Sequence, residues 1–195
     1  MEVLIKNFSQ NSSVVGGKCI LIWPKGKRPI WFPEELDWIV GGTYKGMPVS
    51  PNGEIRNVSS CNMLAPKEIF EKVGFFNSRI GAVKGFLRGG EEAEFCLKVK
   101  QEFPDKMILY KPKAIVYHKV HPYRLSLKYI IRRSFEEGFN KAKLKKFIGT
   151  NDSLSTENTY LRYLLFTSIP ERMRKFYRKD SFLQAGVIMI SIITT

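Results

Sequence analysis

The chain has 195 residues, 44% of them hydrophobic, so it is long enough to enclose a hydrophobic core. Its net charge is +14, and the excess lies mainly after residue 118, where 15 Lys and Arg accompany 6 Asp and Glu. This balance indicates a polyanionic partner, either nucleic acid, an anionic membrane surface or a phosphorylated substrate. Cys19, Cys61 and Cys96 are widely spaced and odd in number, so the sequence predicts neither a metal-ligand pair nor a disulfide framework and favours a reducing compartment.

The first part of the chain alternates apolar runs with turns. Residues 14–23 (V-V-G-G-K-C-I-L-I-W) predict a buried strand, and residues 24–29 (P-K-G-K-R-P) predict a turn. Residues 55–63 (I-R-N-V-S-S-C-N-M) predict a strand or a strand end that carries polar side chains. A helix is predicted over residues 66–73, since proline stands at its favoured first position and glycine follows its end. Residues 75–85 predict a loop.

A glycine-rich loop then leads into an acidic helix. Gly89 and Gly90 precede Glu91 and Glu92, and apolar residues recur at helical spacing as far as Phe103. Acidic residues in the first turn interact favourably with the helix dipole, and glycines permit a tight turn. Carboxylates that leave a flexible loop at a helix start are well placed to face a pocket. The alternative is that they only cap the helix.

The second part of the chain contains strands followed by helices. Residues 107–110 and 114–117 predict two short strands separated by Lys-Pro-Lys, with His118 directly after the second. Residues 125–147 predict a long amphipathic helix flanked by Lys and Arg. Its apolar stripe consists of Leu127, Ile130, Ile131, Phe135, Phe139 and Leu144.

The C-terminal part predicts a polar linker over residues 149–159, an apolar helix over 160–169 and a basic segment over 171–179. The final apolar segment is shorter than the roughly 20 residues that a membrane span needs, so it is expected to be at most the start of one.

Several kinds of chemistry find no support in the residue pattern. No G-x-S-x-G, P-loop or G-x-G-x-x-G motif occurs, and no acid or cysteine stands at metal-ligand spacing around His118 and His121. Nucleic-acid binding is not favoured, because the aromatic residues lie in apolar periodic runs rather than among the basic clusters. The basic clusters at 141–146 and 172–179 are better explained as a surface that binds a membrane, and a basic surface exposed only to solvent is the alternative.

Three segments occur in a recognisable order. They are residues 56–77 (R-N-V-S-S-C-N-M-L-A-P-K-E-I-F-E-K-V-G-F-F-N), 89–99 (G-G-E-E-A-E-F-C-L-K-V) and 108–120 (I-L-Y-K-P-K-A-I-V-Y-H-K-V). This order resembles the second half of a family-two glycosyltransferase of the GT-A fold, an α/β fold with a Rossmann-like nucleotide-binding half. Residues 125–142 are similar to the basic helix of membrane-associated members, and the likeness spans roughly residues 14–145.

The resemblance implies a role for several residues. Glu92 stands where the family has the aspartate that acts as general base toward the acceptor hydroxyl, and Glu91 matches the preceding acid, with an orienting role. Asn62, together with Gly89 and Gly90, matches positions that bind substrate, and His118 matches a residue that approaches the diphosphate or its metal. A strand-end turn for Asn62 and a structural role for His118 are the alternatives.

The chain also departs from the family pattern. The family's nucleotide-binding half ends in an Asp-x-Asp that binds Mg²⁺ or Mn²⁺, and this chain contains no Asp-x-Asp. We therefore expect a partial GT-A fold without that half, which stands elsewhere and possibly on a separate chain. The divalent cation is expected for the complete enzyme and not for this chain alone, which is expected to be inactive by itself.

These patterns lead to one main prediction and one alternative. Residues 1–122 are predicted to be the acceptor-side portion of the GT-A domain, and residues 123–195 a helical region that associates with an anionic membrane. The expected enzyme transfers a sugar, with inversion, from a nucleotide sugar to a glycan or polyprenyl-lipid acceptor at the cytoplasmic face of the membrane. The alternative is a non-catalytic, basic, membrane-surface module.

Overall fold

The computed structural model describes residues 1–77, 82–83, 86–87, 89–148, 155–175 and 177–195. The strands are β1 (Ser12–Ile22), β2 (Met63–Leu64), β3 (Ala82–Val83), β4 (Phe86–Leu87) and β5 (Met107–Lys119). The α-helices are α1 (Glu2–Lys6), α2 (Lys67–Val73), α3 (Glu91–Glu102), α4 (Leu127–Ile148), α5 (Ser155–Tyr163), α6 (Ile169–Arg174) and α7 (Lys179–Thr194). The fold is therefore mixed α/β, as the sequence predicts.

A three-stranded sheet with the order β2–β1–β5 holds the described residues together. β1 pairs with β5 in parallel and with β2 in antiparallel orientation, while β3 and β4 form a separate antiparallel pair. β1 is buried almost continuously along its first half, which suits a central strand covered on both faces. The buried strand predicted over residues 14–23 is thus confirmed.

The ladder between β1 and β5 contains an irregularity. Gly17 pairs with Lys111, but the next residue, Lys18, pairs with Ile115, so three additional residues of β5 have no partner on β1 at this point. Such a bulge interrupts the regular hydrogen bonding and bends the strand.

Asn62 occupies this irregularity. Its side-chain Nδ2 donates hydrogen bonds to the carbonyl oxygens of Lys18, at 3.1 Å, and of Ala114, at 2.9 Å. A Cβ at Gly17 would lie 2.3 Å from the Asn62 Nδ2, so glycine is needed for the amide to come this close to the strand. One amide thereby bonds carbonyls on both strands at the point where the ladder is broken.

Besides a small cluster of Leu4, Val15, Leu109 and Ala114, the described residues form two larger hydrophobic cores. The first packs α2 and α3 against the strands, and it contains Val14, Ile55, Val58, Ile69, Phe95, Cys96, Val99 and Ile108. The second joins the 3-10 helix Glu34–Val40 to the C-terminal helices, and it contains Phe32, Leu36, Ile39, Val40, Val120, Tyr129, Ile130, Leu164, Val187 and Ile188. The segments 1–122 and 123–195 therefore share this second core.

The helices predicted over 66–73, after Gly90 and over 125–147 are confirmed as α2, α3 and α4. The strand predicted over 55–63 is wrong except at its end, because Ser60–Asn62 form a 3-10 turn that directs Asn62 inward to the carbonyls. The two strands predicted at 107–110 and 114–117 are one strand, β5, because the intervening residues form the bulge instead of a break.

The C-terminal predictions need two corrections. The linker predicted over 149–159 already contains helix α5 from Ser155, and its first part lies outside the described residues, as does part of the loop predicted over 75–85. The helix predicted over 160–169 is interrupted by the π-helical turn Leu164–Ser168. Pro170 follows this turn, and proline cannot donate the backbone hydrogen bond that a continuous α-helix requires. Among the described residues, no helix combines the length and apolarity needed to cross a membrane.

We expect Asn62→Ala to lower the free energy of unfolding by about 2–4 kcal/mol, since two carbonyls in the irregular part of the ladder lose their donor. Urea denaturation of the purified chain measures this loss. The matched control is Asn7→Ala, because the Asn7 amide donates to the Val3 carbonyl at 2.8 Å on the exposed surface, where water can replace it. Equal losses for the two variants would show that Asn62 does not bridge the strands.

Candidate active site

A cavity of about 770 Å³ opens beside the sheet. Its wall is formed by β1, the segments 41–48 and 55–59, the start of α3, one side of α4 and the start of α5. Gly89, Gly90, Glu91 and Glu92 all line it. The structure therefore brings the whole predicted glycine-acid motif to one concave surface.

The glycine loop is held in place by α4. Gly90 adopts a left-handed conformation with φ of 109°, which a residue with a Cβ would adopt only with strain. The Asn140 side-chain Nδ2 donates to the Gly89 carbonyl oxygen at 2.7 Å. A Cβ at Gly89 would lie 2.4 Å from Nη2 of Arg133. The left-handed conformation therefore favours glycine at position 90, whereas a side chain at position 89 would require the Arg133 guanidinium to move.

Glu92 is fixed by the turn that also carries Asn62. Its Oε1 accepts a hydrogen bond from the Ser60 hydroxyl at 2.7 Å, and the Ser60 backbone N–H lies 3.4 Å from the same oxygen. Glu92 is partly buried, and it stands at the cavity wall beside the strand end.

Glu91 has a different environment from its neighbour. Burial, followed by the charge of Glu92, raises the pKa of Glu91, while the guanidinium of Arg133 acts in the opposite direction. Its Oε2 is buried and has no hydrogen-bond partner within the described part of the chain. The Glu91 carboxyl therefore holds a proton more readily than an ordinary glutamate does.

A row of charged residues on α4 lines the opposite wall. The Arg133 guanidinium binds Glu137 at 2.8 Å, and the Lys141 ammonium lies 3.6 Å both from Glu137 and from Glu157 of α5. Arg56 also pairs with Glu157. Burial acts to raise the pKa of Glu137, but the charges of Lys141 and Arg133 outweigh it and lower that pKa. Lys141 therefore belongs to the cavity wall, and not to the basic surface predicted for 141–146.

Asn62 and His118 lie behind the wall of the cavity. Asn62 is buried, and its amide hydrogens bond the two strand carbonyls described above. His118 pairs with Leu21 in the β1–β5 ladder, and its Nε2 lies 2.7 Å from the position of a Cβ on Gly41. Their predicted roles in substrate binding remain predictions.

Two cysteines stand next to His118. The Sγ atoms of Cys19 and Cys61 are 3.3 Å apart, and the Ser59 hydroxyl lies 3.3 Å from the Cys61 Sγ. Hydrogen bonding with Cys19, then with Ser59, and the neighbouring His118 lower the pKa of Cys61 to about 5, although partial burial opposes this. The hydrogen bond to Cys61 and then burial raise the pKa of Cys19.

The sequence does not predict that Ser60 and Arg133 belong to the site. Ser60 is one of several serines in a polar run, and nothing in the pattern distinguishes it. Arg133, Glu137 and Lys141 do follow one another at four-residue spacing, which places them on one face of a helix. That spacing indicates a row of ion pairs, but it does not indicate that the row faces a cavity.

No metal cluster is found among the side chains that the structure describes, where no group of three or more His, Cys, Asp and Glu residues is arranged to hold an ion. Glu91 and Glu92 are adjacent carboxylates, but they lack a third ligand among those side chains.

Comparison with known proteins gives one informative similarity. The chain aligns over its whole length with a glucosyl-dolichyl phosphate glucuronosyltransferase from Haloferax volcanii, with 24% identity over 197 aligned residues. The chain spans 61% of the length of that relative. No protein-family profile matches the chain, and no solved structure matches it. This similarity supports a glycosyltransferase.

We expect Glu91→Gln to stabilise the chain at neutral pH and not at acidic pH. Because the folded pKa of Glu91 is raised, ionising this carboxyl costs stability as the pH rises above its ordinary value, roughly 4.3. Glutamine removes that cost, so the melting temperature of the variant should exceed that of the natural chain at pH 7, and the gain should vanish below pH 4.

The control is Glu68→Gln, which changes an exposed glutamate in the first turn of α2, the equivalent place in another helix. Thermal unfolding of the three proteins is followed by circular dichroism at several pH values. A melting temperature that falls at pH 7, or a gain that is the same at both pH values, would contradict the raised pKa.

Proposed function

We propose that this chain is the acceptor-side part of a family-two glycosyltransferase of the GT-A fold, which transfers a sugar from a nucleotide sugar to a lipid-linked acceptor with inversion. The relative from Haloferax volcanii is named as a glucuronosyltransferase for glucosyl-dolichyl phosphate, and it aligns with the whole chain. The observation that carries the proposal is the position of Glu92 and Glu91 at the cavity wall, in the first turn of α3, where Ser60 binds Glu92 and Asn140 holds the preceding glycine loop.

In this proposal Glu92 is the general base. An acceptor that carries a sugar on a polyprenyl phosphate presents hydroxyl groups, and a hydroxyl must lose its proton as it attacks the anomeric carbon. The Ser60 hydroxyl binds Oε1 of Glu92 and orients the carboxylate that takes the proton. The attack comes from the face opposite the leaving nucleotide diphosphate, and the configuration at the anomeric carbon is therefore inverted.

Glu91 has a complementary role in the proposal. Its Oε2 has no hydrogen-bond partner among the described residues, so the carboxyl can hydrogen-bond to an acceptor hydroxyl and orient it while Glu92 takes the proton. Gly89 and Gly90 let the acceptor approach the backbone closely, because neither carries a side chain. Asn62 holds the Ser60–Asn62 turn against the strands, and His118 lies on β5 behind the cavity wall. Contacts of these two residues with the substrate are also part of the proposal.

The divalent cation belongs to the proposal for the complete enzyme only. Mg²⁺ or Mn²⁺ offsets the negative charge that develops on a leaving diphosphate. The described side chains of this chain do not provide a ligand set for it, so no step is assigned here to a metal. The nucleotide sugar and the half that binds it are likewise proposals.

The location that we propose is the cytoplasmic face of an anionic membrane. On α4, Leu127, Ile131, Phe135 and Phe139 are exposed at four-residue spacing, and Phe135 is 64% exposed. We call these four residues the apolar row. Two other residues belong to the apolar stripe that the sequence predicts for this helix. Ile130 is buried in the core, and the side chain of Leu144 is not among those that the structure describes. Lys128 and Arg132 directly follow Leu127 and Ile131 and are exposed, and Arg132 also pairs with Glu136 at 2.9 Å.

A second helix, α7, also has exposed apolar residues. α7 runs parallel to α4, since the hydroxyls of Ser134 and Ser191 are 2.8 Å apart and Thr195 lies beside Gly138, one turn further along both helices. Phe182, Met189 and Ile193 of α7 are exposed. Apolar residues with flanking cations on adjacent helices suit the interface of a bilayer, where the side chains enter the acyl region and the cations meet lipid phosphates.

A non-catalytic membrane-surface module is the alternative function, and the exposed rows of α4 and α7 are the observation that favours it. That function needs neither the cavity nor the acidic pair. Activity and membrane binding are therefore tested separately.

We expect Glu92→Gln to reduce transfer to a hydroxyl acceptor by about 10²–10⁴-fold, the usual effect of removing a general base. The chain, together with the part that carries the nucleotide-binding half, is incubated with vesicles that contain polyprenyl-phosphate-linked glucose, a panel of nucleotide sugars and Mg²⁺ or Mn²⁺, and the products are identified by mass spectrometry. Donor affinity should change little, because the base contacts the acceptor. Glu91→Gln should reduce the rate less than Glu92→Gln does.

Two outcomes would count against the proposal. Absence of transfer with every donor and acceptor would favour the membrane-surface module. If the transfer rate of Glu92→Gln is within a few-fold of the natural rate, Glu92 is not the base and the acidic pair only caps the helix. Polyprenyl phosphate itself serves as a separate acceptor, because its oxygen is already anionic and needs no base.

We expect the chain to bind anionic vesicles and to be released by salt. Each Lys or Arg near the membrane surface should contribute about 1 kcal/mol to the binding free energy. Phe135→Ser should weaken binding about tenfold, because one large apolar side chain no longer enters the bilayer. The control is Phe75→Ser, since Phe75 is 77% exposed but lies after α2 and outside the apolar row.

Co-sedimentation with vesicles measures both effects. Equal binding to neutral and anionic vesicles would exclude an electrostatic surface, and equally strong binding to short DNA would favour a nucleic-acid partner.

A further inference from the structure

Cys19 and Cys61 form a close thiol pair that the proposed reaction does not use. They are 42 residues apart in the chain, yet their Sγ atoms are separated by 3.3 Å. A disulfide bond requires about 2.05 Å, so the sulfurs need to approach by only about 1.3 Å. Cys19 lies on β1, and Cys61 lies in the Ser60–Asn62 turn, which contacts that strand.

The two thiols differ in accessibility. Cys61 is exposed, whereas Cys19 is 3% exposed and lines the wall of the cavity. A dissolved oxidant therefore reaches Cys61 first, with Cys19 already in contact with the sulfur that has reacted. Cys96 lies on α3 and is fully buried in the core, where solvent does not reach it.

We propose that Cys19 and Cys61 are a redox-active pair, which hydrogen peroxide converts into an intramolecular disulfide. In the first step the Cys61 thiolate attacks a peroxide oxygen, the O–O bond breaks, and the products are Cys61 sulfenic acid and hydroxide. In the second step the Cys19 sulfur attacks the Cys61 sulfur, the S–O bond breaks, and water leaves with the proton of the Cys19 thiol. A dithiol reductant reverses the reaction by thiol–disulfide exchange.

The position of Cys61 gives the disulfide a consequence for the candidate site. Cys61 stands between Ser60, which binds Glu92, and Asn62, which bridges β1 and β5. Closing the bond draws the turn toward β1, so it displaces the hydroxyl that orients the Glu92 carboxylate. This consequence rests on the proposed function, whereas formation of the disulfide does not.

The direct test follows the masses of defined peptides. The folded chain is treated with hydrogen peroxide, remaining thiols are alkylated, and the protein is digested with trypsin without reduction. We expect the peptide Cys19–Lys25 to appear linked to Asn57–Lys67, and the linked species to disappear after treatment with dithiothreitol. The peptide Gly89–Lys98, which contains Cys96, should remain unlinked.

Variants identify the pair. Cys61→Ser changes an exposed side chain, so the variant is expected to fold, and it should form no linked peptide. Cys96→Ser is the matched control, and it should form the linked peptide as the natural chain does. The proposal is wrong if peroxide leaves the two peptides unlinked, if Cys61 is oxidised only to sulfinic or sulfonic acid, or if the disulfide joins two chains.

The effect on the site is measured on the natural gene product with the transferase assay. We expect peroxide to lower the rate of the natural protein reversibly and to leave the rate of Cys61→Ser unaffected. If the linked peptide forms while the transfer rate stays unchanged, the disulfide is confirmed and its effect on Glu92 is refuted. A protein without transferase activity would contradict the proposed function, while the peptide test would still decide on the disulfide.

Discussion

The two hydrogen bonds from Asn62 are the constraint on which the site depends. β5 carries three more residues than β1 at the irregularity, and unpaired carbonyls in a covered part of a sheet are costly. The amide satisfies one carbonyl on each strand, and this requires the turn Ser60–Asn62 to sit directly against β1. The neighbours of Asn62 are thereby placed as well, so Ser60 meets Glu92 and Cys61 meets Cys19. A backbone irregularity thus determines which side chains surround the acidic pair.

A buried ion pair attaches the C-terminal helices to this arrangement. Glu35 is fully buried, and Arg172 binds both of its carboxylate oxygens, at 2.8 and 2.7 Å, while the Ser168 hydroxyl donates to Oε1 at 2.9 Å. Removing one partner of such a pair typically costs about 3–5 kcal/mol, because the other charge stays buried. An exposed pair such as Lys67–Glu71 contributes about 0–1 kcal/mol. The buried pair therefore sets the position of α6, and of α7 packed beside it, relative to the 3-10 helix Glu34–Val40.

The sequence predicts regular elements well and their irregular junctions poorly. Helices α2, α3 and α4 follow from glycine, proline and apolar spacing, which depend on neighbours in the chain. Asn62 depends on carbonyls 44 and 52 residues away, so no local pattern in residues 55–63 reveals the inward turn. The glycine-acid motif indicates a carboxylate pair at a helix start, but the contact of Arg133 with Gly89 depends on how α4 packs. For the same reason the sequence identifies the apolar stripe of α4 without separating buried Ile130 from exposed Phe135.

α4 connects the proposed active site with the proposed membrane surface, because its opposite sides face different surroundings. Asn140, Arg133 and Glu137 face the glycine loop and the cavity, whereas the apolar row faces solvent. A helix of 22 residues is about 33 Å long, so it can contact a bilayer along its length while it holds the loop of the acidic pair on the other side. In the proposed enzyme, an acceptor with a polyprenyl tail would keep that tail in the membrane while its sugar reaches Glu92. Under that proposal α4 would link the bilayer surface to the cavity, because one of its sides carries the apolar row and the other holds the glycine loop.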